Sequence, residues 1–248
     1  MSFPNTIHGK PGWEKAQTSD QRHKIGTRMT LADGRVFRYA LDSGSGIAAG
    51  RLVQAPVTDT ADDENLAVSA ASAAGSTTVT TGTSLTITKD QYKEGYLYIN
   101  DNEGEGQIYQ VKGNTAVSGA VGCVFTIDDE DGFNIALTTS SQFGVVYNPY
   151  DGVLVQPTTI TNVAVGVSTC TVTASYYTWV QTWGMCALLD TGATWVVGDQ
   201  LASAETGAAG AAILLDSSSA QDNHSIGYSI YIKPVTTEFG IMMLTISP

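Results

Sequence analysis

The chain has 248 residues and a mass of 26.1 kDa, enough to bury a sizeable core as one large domain or two small ones. Only 15% of residues are charged and 26 are glycine, a balance that favours short strands and tight turns over long helices. The formal net charge of −12 argues against a nucleic-acid partner, because such binding rests on neutralising phosphates.

The opening MSFPNTIHGKPGWEK lacks the apolar core of a secretory signal, and the run AAGAAILL at 208–215 is too short to span a bilayer. A soluble chain that meets no membrane is expected. Three cysteines (Cys123, Cys170 and Cys186) with no Cys-x-x-Cys pair read as buried thiols rather than a disulfide framework or zinc knuckle.

Residues 1–34 contain Pro4 and Pro11 and keep no period of 2 or 3.6, so they read as an extended N-terminal arm. The first 51 residues hold eight of the twelve basic residues and four acids, a balance of +4 that leaves −16 for the rest. Such a basic head can meet an acidic partner surface, or it can fold back on its own acidic body. Lys10, Lys15, Arg22, Lys24 and Arg28 are the candidate contacts in the arm.

Strand-like text begins at RVFRYAL (35–41), turns at DSGSG and continues to Pro56, which cannot donate to a ladder. TADDENLAVSAASAAG (60–75) has acids at its start, alanines in its middle and a terminal glycine, as a helix would, yet LAVSA also fits a strand. After it come GSTTVTTGTSLTIT, GYLYIN, QIYQVK, GCVFTI, FGVVYN and GVLVQP. VAVGVSTCTVTA, YYTWVQTWG, CALLD, TWVVG, IGYSIYI and FGIMMLTI follow. Each is short, rich in Val, Ile, Thr and Tyr, and bounded by turn residues. The expected fold is all-β: a β-sandwich or barrel-like body of short antiparallel strands behind the arm. Residues 35–160 and 161–248 are expected to form two β-rich modules or one continuous body.

Candidate chemistry is sparse. The acidic turn in GYLYINDNEGEGQIYQV (95–111) places Asp101, Glu103 and Glu105 like the ligands of a calcium loop, but Lys112 stands where a bidentate Glu is required. Both flanks alternate as strands, so the segment reads as a hairpin tip. GSGIAA (44–49) matches a dinucleotide fingerprint, but Gly50 and Pro56 leave no room for the helix that must follow. There is no G-x-S-x-G or H-E-x-x-H, and His8, His23 and His224 are scattered. No enzyme activity, metal or cofactor is expected. In ASYYTWVQTWG (174–184), Tyr177, Trp179, Gln181 and Trp183 share one face of a strand. That row can fill a core, form a subunit interface or stack on sugar rings; Tyr177, Trp179 and Trp183 are taken as the interface candidates.

The succession GYLYINDNEGEGQIYQV, FGVVYNPYDGVLVQP, YYTWVQTWGMCALL, WVVGDQLASAETGAAG and HSIGYSI resembles virion proteins of tailed bacteriophages, most closely capsid decoration (cement) proteins. FRYALDSGSGIAAGRLVQAP adds to the likeness, which covers roughly residues 35–56 and 95–248. The resemblance implies a protein made in the host cytoplasm that binds the outer surface of the capsid. Its partners would be the major capsid protein and copies of itself, as a homotrimer or dimer, with the arm gripping neighbouring subunits. The alternative is a glycan- or receptor-binding module of a phage tail or fibre.

Overall fold

A computed structural model describes residues 6–58, 63–82, 85–119, 122–192, 194–215, 224–233 and 238–248. Among them the chain is nearly all β, as its alternation and turn residues predict. The first stretch supplies β1 (Thr6–His8), a single 3-10 turn at Trp13–Lys15, β2 (Arg28–Thr30), β3 (Val36–Asp42) and β4 (Leu52–Gln54). Next come β5 (Leu66–Ala67), β6 (Thr78–Thr80), β7 (Leu85–Ile87), β8 (Tyr96–Asp101), β9 (Ile108–Asn114), β10 (Val117–Gly119), β11 (Val124–Ile127) and β12 (Gln142–Val146). The last stretch gives β13 (Asp151–Val155), β14 (Ala164–Ser168), β15 (Tyr177–Leu189), β16 (Gln200–Ser203), β17 (Ala212–Leu214), β18 (Ser225–Ser229) and β19 (Phe239–Thr245).

Two compact units result: Met1–Val57 joined with Pro149–Pro248, and Thr58–Asn148 inserted between them. This differs from the expected division at residue 160. β13 and β14 lie on either side of that point, yet both pair with β4 in one sheet.

In the first unit, strands run in the order β3-β13-β4-β14-β15, and β15 pairs back onto β3. The sheet therefore closes into a small five-stranded barrel. Its interior is narrow, which is why small side chains fill it: Ala40, Val53, Val153, Val165 and Val180. β15 is 13 residues long and outruns the barrel. Its second half pairs with β19, and the sheet continues through β18, β16 and β17, with Asp190 bridging back to Ala212. Trp195, Leu188, Leu201, Met242 and Leu244 fill this second curl. Gly240 is required there, because a Cβ would lie 2.1 Å from the Trp195 ring.

In the second unit the order β5-β12-β8-β9-β11-β6 is closed by a bridge between Val68 and Thr81 and by Gly82 N–H donating to the Ala67 carbonyl. Phe125, Phe143, Leu97, Ile99 and Tyr92 form its core, and β7 pairs with β10 as a separate two-stranded antiparallel sheet. Each such buried side chain contributes about 1.5–3 kcal/mol relative to exposure. Residues 60–62 of the ambiguous acidic segment lie outside the described residues. The rest takes the extended alternative: Leu66 and Val68 point inward while Ala67 and Ser69 face out. Its acid Asp63 is buried and accepts the Tyr92 hydroxyl. Burial, together with this carboxylate, holds the Tyr92 phenol far above its usual range.

Candidate interaction surface

The leading segment is the candidate site, and it is not a free arm. From residue 6 onward it is built into the first unit. β1 runs parallel to β2, β2 is antiparallel to β3, and Ala32-Asp33-Gly34 makes the tight turn between them with Gly34 at φ +85°. Thr18 exchanges backbone hydrogen bonds with Tyr177 at 3.0 and 2.8 Å, and the Gln17 side chain accepts from Thr173 N–H at 2.8 Å. Ile25, Met29 and Leu31 are buried against Phe37, Tyr39 and Trp179. Of the two sequence readings, the head folds back on its own body. The physical cause is apolar: three buried side chains from an otherwise polar segment outweigh the solubility of its charges.

Docking the backbone leaves the cations outside. Lys10, Lys15, Arg22 and Lys24 are exposed, and Arg28 is half-buried in β2. Arg22 lies 3.8 Å from Asp20, which is also exposed. Arg35, Arg38 and Arg51 bond within the chain. Arg35 donates to Asp33 at 2.7 Å and lies 3.7 Å from the buried Glu14, Arg38 donates to the Gly26 carbonyl, and Arg51 to that of Ala209. Glu14 also accepts Gly12 N–H at 2.6 Å. A groove of about 420 Å³ opens beside these groups, lined by Glu14, Lys15, Arg35, Gln181, Met185 and Phe239, among others.

The aromatic row is divided by the fold. Trp179 is only 5% exposed and packs within its own chain, its ring centroid 5.0 Å from Tyr39 and 5.4 Å from His23. Tyr177 stacks on Tyr39 and is half-buried, as is Trp183. The core reading therefore holds for Trp179, which is available neither to a partner subunit nor as a sugar platform. The leading segment is what covers it. Burial also lowers the His23 pKa, favouring the neutral ring that these aromatics surround.

The other candidates resolve simply. The acidic turn is the tip of the β8–β9 hairpin, with Asn102 in the left-handed region. Glu103 there accepts from Thr138 Oγ1 at 2.7 Å, and this bond, with backbone support, lowers its pKa. In GSGIAA, the buried Asp42 carboxylate accepts Gly44, Gly46 and Ser175 N–H, which shapes a loop rather than a helix start. Among the described residues, no group of three or more His, Cys, Asp or Glu is placed to hold a metal ion.

Two of the thiols are deeply held. Burial raises the pKa of Cys123 and pushes that of Cys186 up to about 12, while Cys170 is half-buried and also raised by burial. Because the thiolate is the reactive form, the folded chain should alkylate first at Cys170, with Cys123 and Cys186 following only on unfolding. Peptide mass mapping after a timed maleimide pulse checks the order.

A second cluster escaped sequence reading altogether. Asp190, at the end of β15, accepts Lys233 Nζ at 2.9 Å and Trp195 Nε1 at 3.2 Å, with the ammonium 5.5 Å from the Trp195 ring centroid. All three side chains are buried. Comparison with known proteins returns no match: no family model, no curated protein and no solved structure is similar to the chain.

Proposed function

We propose that the protein is a structural component of a tailed-phage virion that binds the outer surface of the capsid and stabilises it, in the manner of a decoration protein. Lys10, Lys15, Arg22 and Lys24 would contact an acidic surface of the major capsid protein. The observation that carries this reading is that these cations are exposed on a segment whose backbone is clamped to a rigid β body. Residues 52–248 carry a balance of −16. Charges held this way complement an acidic partner without a large ordering cost on binding. The resemblance to decoration proteins supports the same reading.

Deleting residues 1–34 is a poor test, because Met29 and Leu31 belong to the core. Charge reversal is cleaner. The combined Lys10→Glu, Lys15→Glu, Arg22→Glu and Lys24→Glu variant should fold normally and lose at least about tenfold in affinity for capsids stripped of this protein. Wild-type binding should weaken with salt. Co-sedimentation with purified particles measures both, and binding by the variant equal to wild type would sink the proposal.

A further inference from the structure

The side of β15 that carries Trp179 is covered by the leading segment, but the cover stops at Glu14, Lys15 and Arg35. Past the register shift between Gln181 and Trp183, the outward side of the far half of β15 is open. Met185 pairs with Met243, Ala187 with Ile241 and Leu189 with Phe239, and Tyr228 lies across from Met243 on β18. In each strand the alternate residues (Cys186 and Leu188, Met242 and Leu244) point into the curled core. The outward set is apolar yet open: Phe239 is 56% exposed, Met185 42% and Ile241 41%. None of β15, β18 and β19 contains an Asp, Glu, Lys or Arg.

We infer that this face, centred on Met185, Phe239, Ile241 and Met243, is where a second copy of the chain docks, sheet face against sheet face. Three observations select that occupant. The first is area. Met185, Tyr228, Phe239 and Ile241 are 41–56% exposed on one sheet face, and Ile230, Tyr231 and Ile232, which follow β18 directly, are 38–58% exposed; together they form a large part of the ~800 Å² that one partner contributes to a standard interface. Monomers rarely expose so much contiguous apolar surface.

The second is charge. A chain of net charge −12 repels its own copies, so they can approach only through a region that brings no charges together. These three strands form such a region, and a strongly charged partner would find nothing on it to pair with. The third is self-complementarity. An apolar centre bordered by polar groups such as Glu14, Lys15 and Arg35 matches its own image across a two-fold axis, as an isologous interface requires. This places self-association at the far half of β15, away from Trp179. It does not depend on the capsid reading.

Sedimentation of the full chain alone tests it. At tens of micromolar the wild type should run at twice the 26.1 kDa chain mass or at a higher multiple. Ile241→Lys and, separately, Met185→Glu should each weaken association by about 30-fold or more while leaving the circular dichroism spectrum unchanged, since both side chains point away from the core. A wild type that sediments as a monomer overturns the inference whether or not the variants fold. So does a folded Ile241→Lys variant that associates as tightly as wild type. The capsid-binding assay is a separate measurement, and its outcome does not affect this one.

Discussion

Replacing Lys233 by methionine is expected to lower stability by about 3–5 kcal/mol, one of the two largest effects of any single substitution considered. The Asp190 side chain has no solvent access and Lys233 almost none, and the ammonium neutralises the carboxylate's charge. Methionine matches much of the stem's volume but removes the ammonium. The carboxylate is then left with a single donor, the Trp195 indole, inside an apolar curl. Breaking one side of a buried pair is costly because the surviving charge stays desolvated, whereas neutralising both sides removes the problem. The double variant Asp190→Asn with Lys233→Met should therefore recover most of the loss, since the asparagine oxygen still accepts from Trp195. Urea denaturation of the two single variants and the double gives the coupling directly. A Lys233→Met variant within 1 kcal/mol of wild type would show that the pair is solvated rather than buried.

Nothing in the sequence announced that pair. Lys233 is one of four basic residues outside the head, and the other three, Lys89, Lys93 and Lys112, are exposed. Its partner is 43 residues away, and only closure of the curl brings them together. The all-β class was legible because alternation is local: in GYLYIN, Leu97 and Ile99 turn inward exactly where a two-residue period puts them. Closure was not legible, because β3 and β15 pair across more than 130 residues of chain and share no local signal.

The head was misread for a related reason. Its charges are conspicuous, while Ile25, Met29 and Leu31 are scattered among polar residues and gain their meaning only from the surface they cover. The Asp33-Gly34 pair was a usable hairpin signal, since that turn favours φ > 0. The bare face was hidden differently. In FGIMMLT both faces of the strand are apolar, so periodicity cannot tell Ile241, which points out, from Met242, which points in. The aromatic row drew attention to the near half of β15 instead.

Trp179→Ala separates these alternatives with the other large effect. If Trp179 were an interface residue, its loss would weaken association and leave the isolated chain stable. In the structure it is a core residue wedged between β3 and the leading segment, touching Tyr39 and His23. Truncating a buried tryptophan typically costs about 3–5 kcal/mol, the lost transfer energy plus a cavity that neighbours fill only partly. Here the cavity opens directly beneath residues 6–31, which are held by their contact with this cluster. The variant should therefore melt at a markedly lower temperature and be cut early by protease near Lys15, Arg22 and Lys24, while the sedimentation of its folded fraction is unchanged. Trp183→Ala, half-buried, should cost much less. The proteolysis result bears on function as well as fold. Exposed cations form a defined surface only while their backbone is clamped, and Trp179 is the largest side chain in the clamp. If Trp179→Ala left both melting and cleavage unchanged, the leading segment would not be held as described, and its cations would have to act from a mobile tether instead.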